Sequence, residues 1–199
     1  MKILNLYAGI GGNRKLWGDE HDVTAVESEQ YIADVYAELY PNDTVVVADA
    51  HQYLLDHYKE FDFVWSSPPC PTHSRMRTSL TKSKPVYPDM KLYEEVIFLK
   101  HFYKGLWVVE NVTPYYEPLI KPTALIDRHF VWSSSPLDSK DFTRGYAGAV
   151  VTQTKETLAA EYGIALPEGT KNQRKLLRNA VHPQFGNYIF NSLTQQEDI

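Results

Sequence analysis

The sequence predicts an α/β fold, a doubly wound and mostly parallel sheet. Short apolar runs rich in β-branched and aromatic residues recur along the chain. Most are followed by a segment of helical spacing, the alternation that a parallel sheet with crossover helices requires. A glycine-rich turn, Ala8-Gly9-Ile10-Gly11-Gly12, follows the first run directly. Another run leads through Ser66-Ser67-Pro68-Pro69 to Cys70, the only cysteine. Two prolines stop a strand ladder, so Cys70 is expected at a strand's carboxyl end, where ligands of open α/β sheets bind.

Ile3-Leu4-Asn5-Leu6-Tyr7 is the first strand. After the glycine turn a helix is expected from Asn13 to about Asp19, the context in which a ligand reaches backbone N–H groups at a helix start. Val23-Thr24-Ala25-Val26 is the second strand and ends at Glu27-Ser28. Ile32, Val35, Tyr36 and Leu39 share one face of a helix over residues 30–40, and Pro41-Asn42-Asp43 ends it. Thr44-Val45-Val46-Val47 is the third strand, and Asp49 before Ala50 reads as a helix N-cap. Residues 61–66 form the fourth strand. Leu92, Val96, Leu99 and Tyr103 mark the core face of a helix over residues 89–103. Leu106-Trp107-Val108-Val109 is the fifth strand, ending at Glu110-Asn111-Val112, and Thr113-Pro114 reads as the cap and first position of another helix. Phe130-Val131-Trp132 follows Arg128-His129 as a further strand. Residues 134–172 show little periodicity. Thr170 and Gln173 fit a capping box for a helix through Arg178. Asn179-Ala180-Val181-His182-Pro183 breaks it, and Phe185, Ile189 and Leu193 mark a last amphipathic helix.

A length of 199 residues is that of one domain, and 43% hydrophobic with 23% charged residues is an ordinary globular composition. One cysteine excludes an internal disulfide framework and fits a reducing compartment. Met1-Lys2 lead straight into an apolar strand, and no apolar run approaches spanning length. The expectation is therefore a cytoplasmic protein without signal peptide or membrane segment. A net charge of −5 leaves nucleic-acid contact to local basic stretches. Residues 71–88 hold Arg75, Arg77, Lys82 and Lys84 without an acid, and residues 171–178 hold Lys171, Arg174, Lys175 and Arg178 without one. Either stretch is equally readable as a solvated face.

A lone cysteine is ordinarily a small buried hydrophobe. Cys70 instead leaves a strand into a polar loop where His73, Arg75 and Arg77 are placed to favour the nucleophilic thiolate. Glu27 follows the glycine turn at the spacing of a carboxylate that holds ribose hydroxyls, or is a solvated strand-end acid.

Together these residues resemble the DNA cytosine-5 methyltransferases that use S-adenosylmethionine, in a compact phage or prophage form. Residues 7–12 are similar to the family's cofactor-binding opening, with Tyr7 where phenylalanine is usual. Glu27 and Asp49 match its ribose and adenine acids, and Pro68-Pro69-Cys70 its nucleophile motif, with Ser74 at a serine a few positions on. Glu110-Asn111-Val112 matches its glutamate motif, and Asn179-Ala180-Val181-x-Pro183 its closing motif. The resemblance implies a Rossmann-like methyltransferase domain over residues 1–133 and 173–199, with residues 134–172 as a very reduced target-recognition insertion. It implies Cys70, Glu110 and Arg128 as catalytic. It also implies a cofactor site of Tyr7, Ala8, Gly9, Gly11, Gly12, Glu27, Ser28, Asp49, Ala50, Pro69, Asn179 and Ala180. No metal is implied. DNA, as a duplex, is the implied partner, with Ser74, Arg75, Arg77, Lys82, Lys84, Arg144, Gln153 and Lys175 as its candidate contacts. A second subunit or partner protein is a possible source of recognition. The chain departs from the family at Ser67, in place of glycine, at Pro71, in place of glutamine, and at Arg128-His129, a reduced arginine motif.

The chemistry so implied is attack of the Cys70 thiolate on C6 of a flipped-out cytosine, Glu110 acting at N3 and Arg128 at O2, with methyl transfer to C5. A catalytically retired DNA- or nucleotide-binding relative and an RNA cytosine methyltransferase remain alternatives. A cysteine hydrolase is the weaker third, because Cys70 has no persuasive local base.

Overall fold

The computed structural model describes residues 1–75, 86–141 and 153–195. Strands β1 (Lys2–Leu6), β2 (Asp22–Glu27), β3 (Thr44–Val47), β4 (Phe63–Ser66), β5 (Leu106–Val112), β6 (Ala124–Ile126) and β7 (His129–Ser133) form one sheet in the order β3-β2-β1-β4-β5-β7-β6. The first five are parallel to one another; β7 runs antiparallel to β5 and to β6. This is the doubly wound, mostly parallel sheet that the sequence predicts.

Helices α1 (Gln30–Leu39), α2 (Ala50–His57), α3 (Lys91–Phe102), α4 (Lys155–Tyr162), α5 (Gln173–Asn179) and α6 (Pro183–Thr194) flank it. Period-two alternation divides the strands between two cores. Ile3, Phe63, Trp65, Val108 and Val131 pack on Trp17 and on Phe185, Ile189, Phe190 and Leu193 of α6. Leu4, Leu6, Val64, Val109 and Trp132 pack on Leu54 of α2 and on Leu92, Val96 and Leu99 of α3. A third cluster joins Leu158 and Tyr162 of α4 and Ile164 to Ile10, Val35, Leu176 and Leu177.

Four expectations change. The helix over residues 13–19 is a single 3-10 turn, Asn13–Leu16. Arg14 is drawn into a buried two-pronged pair with Asp43, at 2.9 and 3.0 Å, and Gly18 turns the chain at φ 90°. Glu110-Asn111-Val112 lies inside β5, because the antiparallel pairing runs on to Val112 opposite His129. Thr113 starts no helix: its N–H and hydroxyl both donate to the Arg128 carbonyl at 2.8 Å, and Pro114 bridges to Ser74. The capping box at Thr170 does not form, since its hydroxyl closes a turn onto Pro167 and Asn172 caps α5. The N-cap role of Asp49 holds, its carboxylate accepting from Gln52 N.

The glycine turn is clamped from several sides. Tyr40 OH donates to the Gly11 carbonyl at 2.7 Å, and the Asn5 and Asn13 amides pair at 2.8 Å. A Cβ on Gly12 would stand 2.1 Å from the Val181 carbonyl, and one on Gly186 would stand 2.5 Å from the Asn13 carbonyl. Both neighbours are backbone, which cannot rotate away. Gly186→Ala is therefore expected to destabilise the fold by about 1–3 kcal/mol, the scale of an overpacked contact. A lower denaturant midpoint at unchanged slope would register it.

Candidate active site

The carboxyl ends of β1 and β4, the outer part of β5, the turn between β6 and β7, and the junction of α5 and α6 open onto one cleft of about 380 Å³. Cys70, Glu110 and Arg128 all line it, with Tyr7, Ala8, Gly9, Pro69, Asn179 and Ala180.

Cys70 reaches the cleft because its loop is fixed on both sides. The Ser67 N–H donates to the Leu6 carbonyl, and Asn111 Nδ2 donates to the Pro68 carbonyl at 2.8 Å in a buried bond. Beyond it, His73 N and Ser74 N both donate to the Cys70 carbonyl at 3.0 Å. The residue is exposed to the cleft, yet protein surrounds its other sides. That burial, and then Glu110, push the thiol above its ordinary pKa, while its own backbone and Arg128 pull the other way. Among the described residues, His73 does not give the expected thiolate support. His73 is buried with Nδ1 2.5 Å from Tyr116 OH, and burial lowers its pKa. Arg75 donates to the Pro114 carbonyl at 2.8 Å. Arg77 lies outside the described residues. Among the described residues, Arg128 is the cation that acts on Cys70.

Glu110 is 5% exposed, on the α6 face of β5. Burial raises its pKa to about 7 against the opposing pull of the Ser67 hydroxyl and Arg128. Ser67 Oγ accepts from Trp65 Nε1 at 2.8 Å, so its own proton is available to Glu110. His129 Nε2 stands 3.9 Å from Glu110 Oε2, but burial and Arg128 push that imidazole down to about 3, so it is neutral. Arg128 is delivered by a tight turn in which Asp127 takes φ 51°, and Thr113 holds its carbonyl.

Several cleft residues were not read from the sequence: Asn13, Asp127, Glu161, Tyr162, Arg178, His182 and Phe185. Glu161 and Tyr162 come from α4, in the segment with least periodicity. Of the candidate nucleic-acid contacts, Arg75 and Lys175 are exposed and Ser74 is half-buried. Gln153 donates its amide to Glu161 at 2.9 Å. Arg77, Lys82, Lys84 and Arg144 lie outside the described residues.

The model of the C-5 cytosine-specific DNA methylase family matches residues 1–113. The chain belongs to that family. No curated protein matches it. Among solved structures it is similar to a variant of Spodoptera frugiperda DNMT2, at 18% identity and TM-score 0.49 over 70% of this chain and 54% of that one. It is also similar to the S. pombe Dnmt2 methyltransferase, at 16% identity and TM-score 0.42 over 58% and 37%. A third is an Escherichia coli prophage protein described as a DNA modification methyltransferase, at 17% and 0.38 over 59% and 33%. The chain thus spans about half the length of the first of these and about a third of the last two.

The cofactor of this methylase family is S-adenosylmethionine, and the residues present fit it. The space over Gly9, at φ 54°, is open: a Cβ there would meet nothing within 4 Å. Glu27, at the end of β2, is oriented by Gly9 N and Glu29 N, both at 3.0 Å, and keeps lone pairs for ribose hydroxyls. Ser28 donates to the same carboxylate, and Ala50 is the buried first residue of α2. Asp49, exposed beyond the end of β3, is held ionised by Gln52 N and Lys91 and can accept from an adenine amine. Gly11 and Gly12 do not line the cleft. The room at those positions is taken by the Tyr36 and Tyr40 rings and by Val181.

With its thiol pKa raised, Cys70 should alkylate slowly with iodoacetamide at pH 7, its rate still climbing above about pH 8.5, where an ordinary thiol is half ionised. As the sole cysteine it makes the whole signal.

Proposed function

We propose that the chain methylates C5 of cytosine in DNA, with the base rotated out of the duplex and held by a covalent bond between Cys70 Sγ and C6. The observation that supports this reading best is the meeting of Cys70, Glu110 and Arg128 in one cleft of a chain of this family. Cytosine C5 is a poor nucleophile. Addition of the Cys70 thiolate across C6 pushes electrons toward N3 and makes C5 enamine-like. Glu110, able to hold a proton near neutral pH, gives that proton to N3 as charge develops. Arg128 holds the O2 side. Bound S-adenosylmethionine supplies an electrophilic methyl group on a sulfonium. After transfer N3 returns its proton to Glu110, the C5 proton leaves to water, the Sγ–C6 electron pair returns to Cys70 as thiolate, and the aromatic ring is restored. C6 is out of reach inside a duplex, so the base must flip. Arg75 and Lys175, both exposed, would hold phosphates, and the recognition sequence is short, or recognition is borrowed from a second subunit or partner protein.

Tritiated S-adenosylmethionine with duplex DNA should yield labelled 5-methylcytosine. Label in RNA alone would reassign the substrate. Absence of label from either, with cofactor binding intact, would make the chain a binding module. Cys70→Ala should abolish turnover and leave cofactor affinity within about twofold. DNA containing 5-fluorocytosine, which cannot lose its C5 substituent as a proton, should trap wild type covalently.

The pH dependence follows from the ionisation order. The active form needs a Cys70 thiolate and a protonated Glu110, although Glu110 loses its proton first, near pH 7. Below about 7 the active fraction rises with pH. Between the two pKa values it is level, because losing Glu110-H offsets gaining thiolate. Above the thiol pKa it falls. kcat/KM should trace that profile. In Glu110→Gln, which has no proton to lose, the plateau should vanish and the rise continue to the thiol pKa, at a turnover lowered roughly 10²–10⁴-fold.

A further inference from the structure

Beneath the cofactor turn lies a buried carboxylate that the chemistry above does not use. Glu95 of α3 is 0% exposed. Its Oε1 accepts from Tyr7 OH at 2.6 Å and lies 3.0 Å from His51 Nδ1, while its Oε2 accepts from Ser66 Oγ at 2.5 Å. A buried carboxylate is costly unless it is fully partnered, and these three partners come from three parts of the site. Tyr7 opens the glycine turn and lines the cleft. Ser66 is the last residue of β4, directly before Ser67-Pro68-Pro69-Cys70. His51 is the second residue of α2, just past Asp49.

Tyr7 carries the tension. Its φ is 55°, a left-handed conformation that is strained for a bulky residue and persists only where its surroundings hold it. The phenol's bond to Glu95 holds the side chain of that residue, at a position where its family usually has phenylalanine, which has no hydroxyl to offer.

We propose that Glu95 is a positioning residue that sets the cofactor turn, through Tyr7, against the nucleophile loop, through Ser66. The β1–β4 ladder ends with Leu6 beside Ser66 and a last backbone bond from Ser67 N to the Leu6 carbonyl at 3.4 Å; the carboxylate adds a side-chain tie where that ladder stops. His51 is the third partner of the carboxylate, with its Nδ1 at 3.0 Å. Its pKa is raised chiefly by the bond to Glu95 against burial, with Glu94 at 3.5 Å and Lys91 the other charges facing it.

The inference rests on the proposed methyl transfer only for its meaning. Its test reads cofactor binding and thiol chemistry on the intact chain. Tyr7→Phe should weaken S-adenosylhomocysteine binding about tenfold by calorimetry, the scale of one bond to a charged group, and leave Cys70 alkylation within about twofold. Ser66→Ala should do the reverse, changing the alkylation rate at least about threefold with affinity near wild type. Glu95→Gln should do both, and adding Tyr7→Phe to it should weaken binding little further, since the two act as one unit. Wild-type affinity and alkylation in the two hydroxyl deletions would overturn the proposal, as would strictly additive losses in the double variant. If Glu95→Gln does not fold, the hydroxyl deletions decide alone. A wild type that binds S-adenosylhomocysteine yet methylates no cytosine would refute the functional reading and leave this result standing.

Discussion

The buried hydrogen bond from Asn111 Nδ2 to the Pro68 carbonyl fixes the distance across which the site works. β4 and β5 are parallel neighbours, with Ser66 beside Val109. One residue further, Ser67 therefore comes alongside Glu110. Because side chains alternate along a strand, Glu110 faces the α6 side and Asn111 the other. A single strand thus delivers the acid to one face of the sheet and the fastening of the cysteine loop to the other. Two prolines make that loop stiff, and prolines have no N–H of their own to anchor it. The Pro68 carbonyl is what remains to be held. Removing the Asn111 amide would strand a buried acceptor, which costs more than the bond contributes.

Burial then decides the chemistry. The site that raises Glu110 toward neutral also raises Cys70 and drives His129 to its neutral form. Arg128 is the cation acting on all three. Low dielectric makes such a site poor at holding two anions and good at passing one proton between an acid and a base nearby. The proposed attack by Cys70 and protonation at N3 would satisfy that constraint together, since negative charge would leave the thiolate as the proton leaves Glu110. Ser67, where glycine is usual, adds a hydroxyl fixed by Trp65 that favours ionised Glu110, and so tempers the shift that burial alone would give.

The strand ends were legible because their signals are local. Apolar runs, glycines and the Pro-Pro-Cys exit each act within a few residues, and Glu27, Asp49 and Cys70 were placed from them. What was not legible depends on partners distant in sequence. Arg14 looks like a helix-surface charge until Asp43, beyond a whole helix, pulls it inside. The capping reading of Thr113 failed because the Arg128 carbonyl competes for both its donors. Glu95 did leave a trace. It sits between Leu92 and Leu99 on the apolar face of α3, where a carboxylate has no reason to be unless something buried awaits it. His73 misled for the opposite reason: proximity in sequence suggested thiolate support, whereas its ring turns inward to Tyr116.

The two ends of the chain meet at the site. α6 lies against the backbone of Asn13, and Val181 fills the place of a side chain on Gly12. α4, from the segment that resemblance assigns to target recognition, packs Leu158 and Tyr162 onto Ile10 and Val35. Gln153, just before the helix, donates to its Glu161, and Glu161 also stands 3.6 Å from His182 Nε2. Glu161 and Tyr162 both face the cleft, so these two residues of the segment help to wall it.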